Sequence, residues 1–441
     1  MKTLCTRCWL IISHLLRSPA FVPWCLVVAA LLRLAWVFTI HAQPHSDFLW
    51  YYERAISVAT GQGYIWYGFP TAYFPPAYPV LLGIIFKLCG VSLLAAKLTS
   101  ICLQCGSAYL LYRVARRLFH SEMTGRLSLL LFALYPNNIG YSSLLSSENL
   151  FIFLMLLGIA TLLAAERRWW LLPFAGLVWG AAVFTRPQAV FIPLIFFALT
   201  AISTRNWRKV LLPFLTVHLL LVLLLLPWFA RNRRVFQHPL ITTTTGINLY
   251  IGNNPDANGT YVFTDRMLAA LPPPNQTEYD FDQSCRLLAT DFIISHPWHT
   301  AALVPLKLIW LYMSDFDAMF WNIAGLSGDH PLLLGLLYVL RVICEAYYLC
   351  FFIAFLVAVC SRKNRERLRA RDGRFPWLGL GIILYFTAIY LVYYGTGRYH
   401  APMMPWMLMY AAALLAMREE AINDTGINQP ASATLVKTSQ L

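Results

Sequence analysis

The sequence predicts an all-α polytopic membrane protein: a bundle of about ten transmembrane helices with external juxtamembrane helices and a small external loop region. Three observations predict it. Of 441 residues, 59% are hydrophobic and only 12% charged, too few polar side chains to cover a water-soluble globule of this size. Apolar runs long enough to cross roughly 30 Å of hydrocarbon recur along the chain. The net charge of +14 is gathered in short loops between those runs, the pattern of loops held in the cytoplasm rather than of a basic face for nucleic acid.

In chain order the spans fall at about 20–40, 92–112, 126–143, 149–165, 169–185, 187–203, 210–230, 332–360, 376–394 and 400–417. Lys2, Arg7 and Arg17 precede the first, which reads as a retained helix because so many spans follow it. With the N-terminus inside, most Lys and Arg lie in the cytoplasm, including the run SRKNRERLRARDGR at 361–374, while Asp47, Glu53, Glu148 and Asp256 lie outside. Residues 79–89 are too short to cross and read as a partly embedded helix, and 298–313, with Lys307 in its middle, as an external membrane-surface helix. The resulting organisation is a cytoplasmic N-terminus (1–19), a bundle (20–230) carrying the first external loop (41–79), an external loop with surface helices (231–331), C-terminal spans (332–417) and a disordered cytoplasmic tail (418–441). Within the external loop, Asn253, Asn254, Pro255, Asp256, Asn258 and Gly259 make 246–262 a turn-rich cap, followed by an extended linker and a surface helix at 282–296.

No phosphate-cradling glycine loop of the GxxxxGKS or GxGxxG kind occurs, so a nucleotide is not the obvious energy source. Of ten cysteines only Cys5/Cys8 and Cys102/Cys105 stand close in sequence, and the first pair has no matching His or Cys pair at zinc-site spacing. No metal and no other cofactor is expected.

Candidate chemistry gathers at the outer ends of spans, where ionisable residues are costly and so are functional candidates. Asp47, Tyr51 and Arg54 share one face of a short helix that starts as the chain leaves the first span. Glycines 61, 63 and 68 and prolines 70, 75, 76 and 79 then make a rigid aromatic loop holding Trp66 and Tyr73. A carboxylate beside a guanidinium at a membrane boundary suggests a reaction site for a lipid-borne substrate; an aromatic belt with two anchoring charges is the plain alternative. Arg186, in TRPQ, sits at a span's N-terminus, where backbone N–H groups also favour a phosphate, or it merely caps the boundary. Arg231, with Arg233 and Arg234, stands outside against the charge rule, as an anionic headgroup would require or as a helix anchor. In GTGRYHAP, Arg398 offers a planar fork for phosphate, and His400 either bonds a phosphate or sugar oxygen or is an ordinary interfacial histidine. Glu148 either faces Asp47 as a second carboxylate, raising its pKa by repulsion, or serves as the first-turn acid of a span. Arg33, inside the first span, is expected to face the bundle, with Glu345 as a candidate partner.

Taken in order, SDFLWYYERAISVATGQGY, PPAYP, TRP at 185–187, IGNNPDANGTY and RYHAPMMP resemble the GT-C glycosyltransferases of the protein mannosyltransferase and aminoarabinose transferase type, the family 39-like enzymes. The resemblance runs from about residue 20 to 417. It implies a GT-C bundle, a polyprenyl- or dolichyl-phosphate sugar donor and a first-loop acid as base, which maps onto Asp47. Against that family the expectation is a chain without the large soluble C-terminal domain of some members and with fewer spans than the protein mannosyltransferases, which leaves the acceptor open; Asp47 follows Ser46 rather than a second acid, so no DxD or DE pair points to a metal.

The reading is a membrane glycosyltransferase that moves a hexosyl or pentosyl group from a polyprenyl-phosphate donor to an envelope acceptor (lipid A, polysaccharide or protein). The site would lie on the extracytoplasmic side of the inner membrane, among membrane lipids and without nucleic acid. Asp47 would be the base, Arg186, Arg231, Arg398 and His400 the donor-phosphate ligands, and Arg54, Tyr51, Glu148 and Tyr73 would bind acceptor or sugar. The alternatives are a polytopic transporter, which would show paired repeats and midplane charges, and an O-antigen polymerase or ligase.

Overall fold

The computed structural model describes residues 15–271, 276–326, 330–371 and 376–424. Cys5/Cys8, the basic segment at 372–374 and the tail beyond 424 lie outside them. The helices are α1 (Phe21–Thr39), α2 (Asp47–Ala59), α3 (Ala77–Cys89), α4 (Leu93–Phe119), α5 (Glu122–Ala133), α6 (Pro136–Gly140) and α7 (Ser147–Ala165). They continue with α8 (Leu172–Thr185), α9 (Ile192–Thr204), α10 (Arg208–Phe236), α11 (Thr245–Gly252), α12 (Asp265–Ala270), α13 (Glu278–Ser295) and α14 (Pro297–Tyr312). The last are α15 (Asp317–Ala324), α16 (Pro331–Cys360), α17 (Arg362–Arg371), α18 (Pro376–Val392) and α19 (Met404–Asp424). One two-stranded hairpin, Ile65–Trp66 against Phe69–Pro70, interrupts them.

The protein is thus an all-helical multi-pass membrane protein. Six described helices are long and apolar enough to cross, and the shorter apolar helices Ala77–Cys89, Trp169–Thr185, Trp377–Val392 and Met404–Met417 complete the bundle. Nine of the ten spans expected from the sequence appear in one class or the other. The third does not: 126–143 breaks between α5 and α6. Pro136 biases Tyr135 to extended backbone (ψ 108°) and cannot continue the helix. The carbonyls freed at Phe132 and Ala133 accept from Arg33, at 3.4 and 3.1 Å. Arg33 faces the bundle as expected but does not reach Glu345; Gln104 (2.6 Å) and Asn138 (2.8 Å) hold it instead, and Glu345 accepts from the Asp315 backbone.

The external segment builds a small core of its own from Ile247, Tyr250, Ile251, Met267, Cys285 and Ala289, joined by Tyr394 from the end of α18. The start of the turn-rich cap is in fact the helix α11. Its cap comes from a distant residue: Asp282 Oδ1 accepts the backbone N–H groups of Gly246 and Ile247, which a local reading of 246–262 does not reveal. At its other end the Asn253 and Asn254 amides donate to the Leu249 and Tyr250 carbonyls, both at helix spacing. Lys307, buried in α14, donates to Asn253 Oδ1 at 2.9 Å and to the Val392 carbonyl at 3.2 Å, and this clamps the cap onto the turn that leaves α18.

Candidate active site

Four side chains from four parts of the chain converge at one end of the bundle. Asp47 opens α2, following Ser46, whose backbone lies at φ 53° and ψ −129°, a strained conformation for a residue with a Cβ. Glu148 lies in the first turn of α7, whose N-cap, Ser146, accepts the Glu148 N–H and donates to its carboxylate at 2.5 Å. Arg186 joins α8 to a 3₁₀ turn, held extended (φ −147°, ψ 113°) by the proline that follows. Arg398 comes from the 3₁₀ turn Gly397–His400.

The four form one chain of charges. Arg398 Nη1 donates to Asp47 Oδ2 at 2.8 Å, and its Nε and Nη2 donate to the two oxygens of Glu148. Arg186 Nη2 pairs with Glu148 Oε1 at 2.6 Å. Glu148 therefore does not face Asp47 as a repelling neighbour. Arg398 stands between them, and Glu148 instead orients two arginines. Arg186 and Arg398 are both held above the ordinary arginine value: burial alone would lower them, but the carboxylates outweigh it. Burial raises Tyr51, as does the nearby Asp47 charge; it stays a neutral hydroxyl, 3.3 Å from Ser147.

Asp47, Tyr51, Arg186 and Arg398 line a cavity of about 390 Å³. Thr242, Thr244 and Asn248 form one wall and Tyr385, Tyr390 and Tyr394 another. The second wall is connected: the Tyr399 hydroxyl donates to that of Tyr394 (2.6 Å), which donates to Asn248 Oδ1 (3.1 Å). Arg186, Gln188 and Tyr390 border the same cavity, with Arg186 Nε, Gln188 Oε1 and the Tyr390 hydroxyl buried beneath its surface and Arg186 and Tyr390 side by side. Asp47 is the most open of the charged four, with 34% of its side chain exposed against 12% for Arg398, 13% for Arg186 and 2% for Glu148. It is the carboxylate an incoming group meets.

The remaining candidates stand elsewhere. The Arg231 guanidinium donates to the Thr71 and Tyr64 carbonyls (2.8 and 3.0 Å) and lies over the Trp228 ring, so it braces the first external loop. His400 is buried behind the cavity, bonded to the Leu311 carbonyl (2.8 Å) and Asp315 (3.2 Å). Arg54 points away toward Glu53 and the Trp50 face, two of its nitrogens unpartnered. Tyr73 packs among Trp50, Trp66 and Phe74. The tyrosines of α18 and of the segment after it, and the Thr242–Thr245 hydroxyls, escaped sequence reasoning; the density of YLVYYGTGRY and TTTTG was the available signal. Among the described residues no group of three His, Cys, Asp or Glu side chains gathers that could hold a metal ion.

A family model described as dolichyl-phosphate-mannose-protein mannosyltransferase matches residues 74–230, which bears out the resemblance read from the sequence. No curated protein matches the chain. Among solved structures, it is similar to the oligosaccharyltransferase AglB from Archaeoglobus fulgidus, solved with an inhibitory peptide and a dolichol-phosphate (14% identity, TM-score 0.48, 94% of this chain and 53% of that one). It is also similar to ArnT from Cupriavidus metallidurans bound to undecaprenyl phosphate (14% identity, TM-score 0.43, 93% of this chain and 79% of that one). The chain thus spans about half the length of the archaeal protein.

Proposed function

We propose that the protein is a membrane glycosyltransferase that moves one sugar from a polyprenyl-phosphate donor to a hydroxyl acceptor of the cell envelope, on the extracytoplasmic side of the inner membrane. The observation that carries this reading is the cavity itself: an accessible carboxylate and two buried arginines, rigidly coupled through Glu148, face one space at a bundle end. A lipid-linked phosphate can reach a bundle end from the bilayer without leaving it. The mannosyltransferase family match is in keeping with that donor class.

In this mechanism the acceptor oxygen attacks the anomeric carbon while Asp47 takes the hydroxyl proton, the bond from that carbon to the phosphate oxygen breaks on the opposite face, and configuration inverts. The electron pair leaves with the polyprenyl phosphate. Arg186 and Arg398, both bordering the cavity, stabilise the charge that develops there. The tyrosine wall and Thr242, Thr244 and Asn248 supply the stacking faces and hydroxyl partners a sugar requires. The test compares membranes holding equal amounts of wild type or Asp47→Asn, following lipid-linked sugars and envelope glycans by mass spectrometry. The reading requires consumption of a polyprenyl-phosphate sugar by the wild type and its loss in the variant. Equal consumption removes Asp47 as base, and no consumption by either with acceptors present removes the transferase.

A further inference from the structure

The chain's other large recesses lie at the far end of the bundle. Ser147 and Arg186 line the active cavity at one end of α7 and α8, so Ala165 and Leu172 stand at the other, joined by the turn 166–171. The turn at 120–121 and the α9–α10 turn at 205–207 meet it there. Trp169 and Trp170 are 76% and 59% exposed on that turn, as befits a bilayer–water boundary. Two recesses open here, of about 810 and 550 Å³, and both are lined by Arg117, His120 and Arg167.

Their charge is unbalanced. Arg113, Arg116, Arg117, Arg167 and Lys209 line the pair against only Glu122 and Glu166. Arg116 is paired with Glu122 at 2.9 Å and Arg117 with Glu166 at 3.2 Å. Arg113 is braced on Tyr109, donating to its hydroxyl at 2.9 Å with the guanidinium 5.8 Å from the ring centre. Neither it nor Arg167 pairs with a carboxylate among the described residues. The rest of each recess is mostly apolar: Leu110, Leu163 and Phe174 with the Ser121 and Thr161 hydroxyls in the larger, Leu162, Phe196 and Phe197 with Thr200 and Thr204 in the smaller.

A surplus of cations explains an anion, and two apolar recesses meeting at the shared cations explain its tails. We propose that this double recess binds one anionic two-chain glycerophospholipid. Its phosphate lies at the junction against Arg167, with Arg113 in the larger recess one helical turn along α4 from the shared Arg117, and one acyl chain lies in each recess. A free phosphate would leave both apolar walls uncovered, and a single-chain polyprenyl phosphate would fill one recess and leave the other empty. The site is independent of the transferase reading, being a full bundle length from Asp47.

The test is native mass spectrometry of the full chain in mild detergent, with phosphatidylglycerol, phosphatidylcholine, a lyso-phosphatidylglycerol, a polyprenyl phosphate or inorganic phosphate added. Phosphatidylglycerol is expected to be retained about tenfold better than phosphatidylcholine. The double variant Arg113→Gln/Arg167→Gln should remove that preference, and Arg113→Lys/Arg167→Lys should keep part of it. Both positions are exposed, so the melting temperature should hold. Should it fall, a wild-type salt series decides: raising salt from about 0.15 to about 0.5 M must erode the preference. Equal retention of the two diacyl lipids, an unaffected variant or a salt-independent preference overturns the site. So does a single-chain lipid that binds as well as the diacyl one, or displacement by inorganic phosphate, which marks a plain anion site.

Discussion

Two buried polar clusters stand side by side behind the external loops, one closed and one open. In the closed cluster His400 bonds Leu311 and Asp315, Asp315 also accepts from Tyr135 (2.5 Å) and Asn137 (2.6 Å), and the Tyr348 ring stacks on the imidazole at 4.8 Å. None of these side chains borders the active cavity. In the open cluster Asp47 keeps a third of its side chain exposed and borders the cavity together with Arg186 and Arg398. Burial of charge is common to both. What separates scaffold from site is access: the closed cluster has spent its hydrogen bonds on the fold away from the cavity, whereas the open one presents a carboxylate and two arginines to it. The two meet at one short turn. Arg398 and His400 are two residues apart, so the closed cluster fixes where the open cluster's central arginine stands.

The comparison breaks first at Asp47. Asp47→Asn should lower transfer by about 10²- to 10⁴-fold, the usual span for a general base, with the melting temperature nearly unchanged because the side chain is the most open of the four. A comparable loss of fold stability would move Asp47 to the scaffold side. Glu148→Gln reverses the pattern. It leaves Arg186 and Arg398 buried without their shared counter-charge and should cost about 3–5 kcal/mol of stability, read as a fall in melting temperature, together with activity. Arg186→Lys is gentler: the charge remains but the fork that reaches Glu148 and the cavity together is lost. Transfer should drop about 10²-fold with the fold intact. Measured on the same preparations, these three variants separate a ligand-facing group from one that only orients it.

Most of the bundle was legible because hydrophobic length is a local property, and nine spans needed nothing else. The exception, at 134–136, turned on one proline whose consequence was hidden until Arg33 could be seen taking the freed carbonyls. Asp47, Arg186 and Arg398 were legible as costly charges at span ends. Their connection was not, since Glu148 lies 250 residues from Arg398 and no periodicity encodes that distance. For the same reason the sequence left Glu148 open between a carboxylate facing Asp47 and a first-turn acid, and it is the latter, turned to the arginines; His400, open between ligand and ordinary histidine, is satisfied from α14 and the turn after it. The helix α11 was missed because its cap, Asp282, arrives from another helix.

The remaining expected effect is a pH dependence of stability, carried by His400 of the closed cluster and by Asp317 beside it. Burial raises Asp317 to about 7, His400 and Arg398 only partly opposing it. His400 is also raised, because Asp315 and the Leu311 carbonyl outweigh the effect of its own burial. Glu345 and Arg341 flank the same turn. Both shifts are upward, so between about pH 4 and 7 the folded state binds more protons than the unfolded chain through Asp317. Through His400 the excess continues above the ordinary histidine value near 6.5. The stabilisation is therefore complete at the acid end and is lost as pH rises through the folded-state values. Melting temperature should fall steadily from about pH 5 to 8. Asp317→Asn should flatten the acid part of that slope and His400→Gln the neutral part, while Asp47→Asn leaves both in place. A slope that follows Asp47 instead would mean that the open cluster, too, is part of what holds the fold together.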